Sequence, residues 1–451
     1  RPPPREPASV PLGGGLRTLY VLTLTQALSL LGSRMSAVAV GLWVYARTGE
    51  ATPLLLAAFF AELPLLVAGG IAGWLADRYD RRLVLVWGDA GQALGTAALL
   101  ASVLSGEFRL WHLYAASGLQ GVFAAVQAPA AGAVVGSLAP PERRDRFNGL
   151  REMSHPLAGT AAPALAGLLY ATVGLPGVLA VDLATFLVAV LVVWSLAVPR
   201  PAPSAEGARP GALWREILGG LDYLRARRGL LELTVAIALV FWLINGPLAL
   251  ALPYLSLLGR GERAVGLLLA TLDAGALAGG AAVAMAPRIR RRAPLIVGGL
   301  ALHGAMLVLL GLTRGVDALA APGILALTLF VLMFPLPAVG ALYASLVQGE
   351  VPADLQGRVL AASGQLFVLG TPLSFLATGF VVDRVLEPAV ASGAWRLVAP
   401  LVGREEGAGM ALLLVTVGLA VLAIAAAAYS RSPVRGVEGG GAGPRGTLGR
   451  T

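Results

Sequence analysis

The chain has 451 residues, 57% of them hydrophobic and only 13% charged, with a formal net charge of +9. Soluble domains carry about 25% charged residues, so this composition excludes an ordinary water-soluble domain. All 34 basic residues are arginine and there is no cysteine, which excludes a Walker-type phosphate loop, a Schiff-base lysine, a thiolate nucleophile and a disulfide framework.

Apolar runs long enough to cross a hydrocarbon core of about 30 Å recur along the whole length. They are rich in Ala, Leu and Gly and lack strand-like alternation, so they are predicted as helices rather than barrel strands. In chain order the spans fall near 18–44, 53–76, 83–104, 111–136, 147–172, 176–198, 231–257, 264–286, 294–313, 323–347, 357–382 and 408–430. The expected fold class is therefore an all-α integral membrane protein: twelve transmembrane helices in two pseudo-symmetric six-helix bundles. The expected division is a disordered tail over 1–15, one bundle over 16–198, a linker over 199–230, a second bundle over 231–430 and a disordered tail over 431–451. Within the linker, Trp214, Ile217, Leu218, Leu221 and Leu224 recur at helical spacing and predict an amphipathic helix on the membrane surface. The alternative is a seventh span that starts early.

The bundles share an internal repeat. Gly69-Gly70 and the following Gly73-Trp74-Leu75-Ala76-Asp77-Arg78-Tyr79-Asp80-Arg81-Arg82 return 210 positions later as Gly279-Gly280 with Arg288, Arg291 and Arg292 in register. At an offset of 212, Pro140, Glu142, Arg146 and Gly167 align with Pro352, Asp354, Arg358 and Gly379. Two related halves with a substrate site between them near mid-bilayer are a common plan for secondary transporters.

Sorting the gaps between spans alternately puts most arginines on one side: Arg78, Arg81, Arg82, Arg143, Arg144, Arg146 and Arg151, the run Arg200 to Arg228, Arg288 to Arg292, and Arg358. Positive charge marks the cytoplasmic side, so both termini and the linker are expected in the cytoplasm and the protein in the cell membrane. The net charge is thus a topogenic signal, with no soluble basic face for nucleic acid.

Charged groups inside spans are costly and therefore functional candidates. Arg34 and Glu62 lie at matching depth in spans one and two, so adjacent antiparallel helices can pair them, either structurally or as part of the cycle. Asp182 in span six and Asp273 in span eight show no arginine at their depth, which makes them candidate proton carriers. Asp182 also fits a wetted acid near the external face. Asp273 and Glu62 fall one residue apart after the 210 shift. His155 and His303 fit either a proton relay or packing, and with His112 they lack metal-ligand spacing, so neither a metal nor a cofactor is expected. Gln120, Gln127, Asn245 and Gln365 are candidate polar anchors of an otherwise apolar cavity, with Trp242 and Phe334 as stacking surfaces. Asn245-Gly246-Pro247 and Phe334-Pro335-Leu336-Pro337 are helix-breaking sites of the kind that line transporter cavities.

The chain resembles the major facilitator superfamily. Gly73, Asp77, Arg78, Arg81 and Arg82 match that family's signature between spans two and three. Leu31-Gly32-Ser33, Pro352 through Gly357-Arg358, and Val181-Asp182-Leu183-Ala184-Thr185-Phe186 are similar to its drug-efflux branch, which contains macrolide and siderophore exporters. The resemblance implies export of an amphipathic small molecule by alternating access with proton entry. It departs in span four, where Ser117 precedes Gly118-Leu119-Gln120-Gly121 and many proton-coupled members carry arginine. Asp77, where a helix ends at the cytoplasmic face, can accept bonds from arginines or from a facing helix N-terminus. With Gly73, Arg78, Arg81 and Arg82 it forms a candidate cytoplasmic gate, and Asp89 is placed to support those arginines. A monomer acting on a small amphipathic substrate, with protons, is expected. The alternatives are a nutrient, lipid or metabolite carrier of the same fold and, with no clustered catalytic set to support it, a membrane sensor or enzyme.

Overall fold

The structure, a computed structural model, describes residues 12–138, 144–196, 212–257, 261–286, 291–316 and 320–431, with positions 289, 434, 436 and 437. Side chains at 12–15, 67–78, 144–153, 155–156 and 212–218, and at a few positions near 130, 355 and 394, lie outside that description. The described residues form helices and turns without a strand. The first half holds α1 (Leu12–Thr48), α2 (Thr52–Arg78), α3 (Arg81–Leu104), α4 (Leu110–Leu138) and α5 (Arg144–Ser195). Then come α6 (Ala212–Ala226), α7 (Arg228–Ala249), α8 (Ala251–Ser256), α9 (Gly261–Met285) and α10 (Arg292–Leu312). The chain closes with α11 (Pro322–Met333), α12 (Pro335–Glu350), α13 (Ala353–Leu369), α14 (Thr371–Val381), α15 (Glu387–Ala389), α16 (Ala399–Val402) and α17 (Ala408–Ser430).

Nine helical stretches among the described residues are long and apolar enough to cross a membrane. One of them, Leu157–Ser195, is broken by Gly174 at φ 68°, a backbone conformation that glycine adopts without strain. Counting that stretch as two and adding α2 and α4 brings the crossings to twelve, in two six-helix bundles. The boundaries follow local chemistry. α1 runs past its apolar stretch until Gly49, at φ 65°, receives the chain in the left-handed region and donates to Tyr45 O at 2.9 Å. Spans seven, ten and eleven are each divided into two helices near Pro247, Pro335 and Pro372, where proline removes a backbone donor and crowds the preceding turn. α6 is a separate helix rather than an early start of α7: Arg227 interrupts it at φ −111°, ψ 81°. It packs on α13 with Leu224 buried.

Within the first half α1 lies on α5, and α4 on α2 and α3; within the second, α10 lies on α17, α9 on α11 and α12, and α7 on α13 and α14. The halves join along two seams, α5 against α9 and α14 against α2, with α1 also touching α8. Lipid offers no hydrophobic drive between helices, so such seams rely on small residues and polar bonds. Leu42, Tyr45, Ala51 and Leu55 of the first half share one apolar core with the second half. They sit where α1 ends and α2 begins, on the side opposite the arginine-rich turns. A separate core (Leu19, Leu22, Val84, Leu85, Val86, Ala130, Val134, Val193) lies on the basic side and belongs to the first half alone. The apolar closure between the halves therefore lies on the side opposite the arginines.

Candidate functional site

Three charged groups, two in the first half and one in the second, lie at similar depth in their spans. Counting at 1.5 Å per residue from the end of α1 and from the starts of α2 and α9, Arg34, Glu62 and Asp273 lie roughly 15–21 Å in. Arg34 is exposed, and both acids are half-buried. The Arg34 cation acts electrostatically on Glu62 of its own half and also on Asp273 of the other. Among the described residues no ion pair within 4.0 Å joins it to either. Depth matching anticipated a direct Arg34–Glu62 pair; the described residues show no such contact, and the arginine's field reaches an acid in each half. Asp273 reaches the trio because Gly159 on α5 leaves it room: a side chain there would collide with the Asp273 carboxylate. Gly121 of span four lets α4 approach the carbonyl of Ala61, immediately before Glu62.

A second polar system runs inside the first half. Asp182 is 1% exposed and accepts from Thr96 Oγ1 at 3.0 Å and Ser33 Oγ at 3.3 Å. It is thus enclosed rather than wetted from the external face. Gly32 packs directly against Asp182 and Thr185, so two of the segments that carry the efflux-branch resemblance touch each other. Thr96 also accepts from Gln120 Nε2 at 3.0 Å, and Gln120 reaches Gln92 O at 3.5 Å. Gln92 Nε2 donates to Gln127 Oε1 at 2.8 Å, and Gln127 Nε2 donates to Asp89 Oδ1 at 2.7 Å. Gln26 Nε2 closes the far end on Asp89 Oδ2 at 2.9 Å. A continuous ladder therefore links Asp182 to Asp89 through α1, α3, α4 and the second part of α5.

This ladder corrects three expectations. Asp89, 1% exposed, is held by two amides and not by the gate arginines. Gln120 and Gln127 bond within the bundle instead of standing free as anchors. The sequence reading missed Gln26, Gln92 and Thr96, although Asp89, Gln92 and Thr96 follow the i, i+3, i+7 spacing of one helix face.

In the second half, Trp242 Nε1 donates to Leu366 O at 2.7 Å and Asn245 Nδ2 donates to Phe241 O at 2.6 Å and Thr371 Oγ1 at 3.2 Å. Both residues tie α7 to α13 and α14, so they are committed to helix packing. Phe334 caps the α11–α12 break, and its carbonyl lies against Gly279 of α9. Gln365 is exposed and makes no hydrogen bond among the described residues, which leaves it open to a ligand. His303 is 0% exposed and its Nδ1 donates to Leu332 O at 2.7 Å, a packing role beside the broken helix. The side chain of His155 lies outside the described residues.

Of the expected gate, Gly73, Asp77 and Arg78 lie at the end of α2 and their side chains fall outside the described residues. Arg81 opens α3. Arg82 does not reach across to the other half: its Nη1 donates to Leu196 O at 3.3 Å, and its guanidinium lies 5.4 Å from the Trp194 ring centre. Both partners belong to its own bundle. On the opposite side a cavity of about 350 Å3 lies between α1, α5 and α9, with Tyr45, Tyr170, Glu262 and Glu406 in its wall. None of the central trio lines it.

The sequence matches the family model of the Major Facilitator Superfamily over residues 22–375. The chain belongs to that superfamily. Macrolide efflux protein A of Streptococcus pyogenes is 23% identical over 368 residues, covering 81% of this chain and 89% of that protein. The multidrug efflux pump Tap of Mycobacterium tuberculosis is 28% identical, with 81% and 87% covered. An MFS-type transporter of Bacillus subtilis, YfiS, is 29% identical, with 83% and 89% covered. Among solved structures, an inward-facing, unoccupied bacterial homologue of the lysosomal transporter Spinster superposes with a TM-score of 0.69 at 17% identity. That likeness covers 94% of this chain and 97% of the other, and it establishes the fold.

Proposed function

We propose that this superfamily member is a secondary active exporter of amphipathic small molecules that works by alternating access and is driven by proton entry. The observation that carries the reading is the Arg34, Glu62 and Asp273 trio, in which one cation acts electrostatically on an acid of each half at similar depth. A proton or a cationic cargo that neutralises one acid leaves Arg34 to the other, so occupancy biases which half holds the arginine. A ligand moves a two-state protein only through such differential contacts. Proton coupling then rests on Glu62 and Asp273 and needs no arginine at the Ser117 position. Relatives named for macrolide and multidrug efflux support the cargo class and the outward direction.

In this reading the basic side is cytoplasmic and both termini lie there. The conformation is inward-facing, with the halves 16–198 and 231–430 rocking about their seams and 199–230 as the connection. The protein sits in the cell membrane and acts as a monomer. Inside-out vesicles carrying the protein should accumulate members of a panel of dyes, macrolides and siderophores, and lose that accumulation when the proton gradient is collapsed. Accumulation only in right-side-out vesicles would establish an importing carrier instead.

A further inference from the structure

Two hydrogen bonds join the halves at one carboxylate. Asp383, in the π-helical turn Val382–Leu386 that follows α14, accepts from Ala51 N at 3.2 Å and from Thr52 N at 2.6 Å. Thr52 is the first residue of α2, and its N–H is one of the donors that a helix start leaves without an internal partner. The positive end of the helix and the carboxylate reinforce each other, giving a short, charge-assisted contact. Just below it, the helices approach at Gly379, where a Cβ would lie 3.1 Å from Thr52 Cα. The same α2 ends on the basic side, where the sequence places Asp77 in its last turn and where α13, the first part of span eleven, begins at Ala353. α2 and span eleven are thus antiparallel, and each carries an acid near its C-terminal end, on the side where the other helix begins.

We propose that Asp383 is a positioning residue for the transport cycle: a releasable latch that holds the halves together on the side opposite the arginines and must leave the N-terminus of α2 before that side can open. The proposal rests on the alternating-access reading above; the Asp383 contact itself rests on geometry alone.

The chain has no cysteine, so introduced cysteines can carry spin labels without background. One pair, Ser105→Cys with Ser392→Cys, reports the latched side. A second, Ser195→Cys with Gln348→Cys, reports the basic side. In the full-length protein, Asp383→Asn should move the population toward longer distances in the first pair and shorter ones in the second. The expected change is about tenfold in the ratio of open to closed, as for loss of a hydrogen bond to a charged group. Thr52→Pro removes the shorter donor without touching the charge, at a helix position that tolerates proline. It should shift both pairs in the same direction, and adding Asp383→Asn should change little more. Unchanged distance distributions in both variants overturn the latch, whether or not the protein exports dye. Distances that shift in the variants when the parent protein itself exports none of the panel would keep the latch and reject the efflux reading.

Discussion

The two seams between the halves are related by the internal repeat, yet they are built differently. Gly167 on α5 faces Glu262 at the start of α9, and Gly379 on α14 faces Thr52 at the start of α2. The offsets, 212 for the glycines and 210 for their partners, match those of the repeat. On the α5–α9 seam, backbone meets backbone: a Cβ on Gly167 would lie 2.8 Å from Glu262 O, and one on Gly266 would collide with Pro163 O. On the α14–α2 seam the approach is looser, and Asp383 adds the charged bond. The α5 positions equivalent to Asp383 at these offsets are Ala171 and Val173, so the first seam has no such carboxylate. One seam is a packed pivot and the other a latched joint. A pseudo-symmetric transporter can therefore be asymmetric in what it must break to open.

This contrast can be broken most severely at the pivot. Gly266→Leu should lower folded yield and thermal stability sharply, because the backbones at that contact cannot separate locally and overpacking typically costs about 1–3 kcal/mol or more. Gly379→Ala should cost less than about 1 kcal/mol, since a shift of a few tenths of an ångström accommodates it. Melting curves of the two variants in detergent decide the matter, and equal losses would erase the distinction between the seams.

A smaller effect is expected inside the first half, which must hold its shape while the joint moves. Asp182→Ala leaves the buried Thr96 hydroxyl without its acceptor, while Ser33 keeps Ser29 O at 3.1 Å, and about 1–3 kcal/mol of stability should go with it. Asp182→Asn keeps an acceptor and should lose less. A melting temperature unchanged by both would mean that the ladder does not stiffen the bundle.

The smallest effect on stability belongs to the central trio, where Arg34 is exposed and its field is screened. Losses in Arg34→Ala, Glu62→Ala and the double variant should still be non-additive in transport rate, with the double variant less impaired than the two single losses combined. Purely additive rates would separate the two residues.

Much of this architecture was legible in the sequence, because a span must satisfy its own backbone and so declares itself by length and composition. The repeat offsets located Gly167 and Gly379, and matching depth brought Arg34 and Glu62 into one field. What failed was the distinction between a polar group that binds cargo and one that binds another helix. Trp242, Asn245, Gln120 and Gln127 read the same in either role until their partners on other helices are known. Asp89 looked like an ally of nearby arginines because sequence distance hides Gln26, on another helix. Asp383 drew no notice in the sequence, because only the tertiary approach of the α2 N-terminus gives it a partner.

The central claim is that protons drive the cycle through the acids on either side of Arg34. Dye or macrolide transport by purified protein in proteoliposomes, measured across a series of imposed pH gradients, tests it most directly. The parent protein should transport faster as the gradient steepens, whereas Asp273→Asn or Glu62→Gln should transport at a rate independent of the gradient. If both variants keep the parent's gradient dependence, the acids around Arg34 do not carry the coupling and the proposed mechanism is wrong.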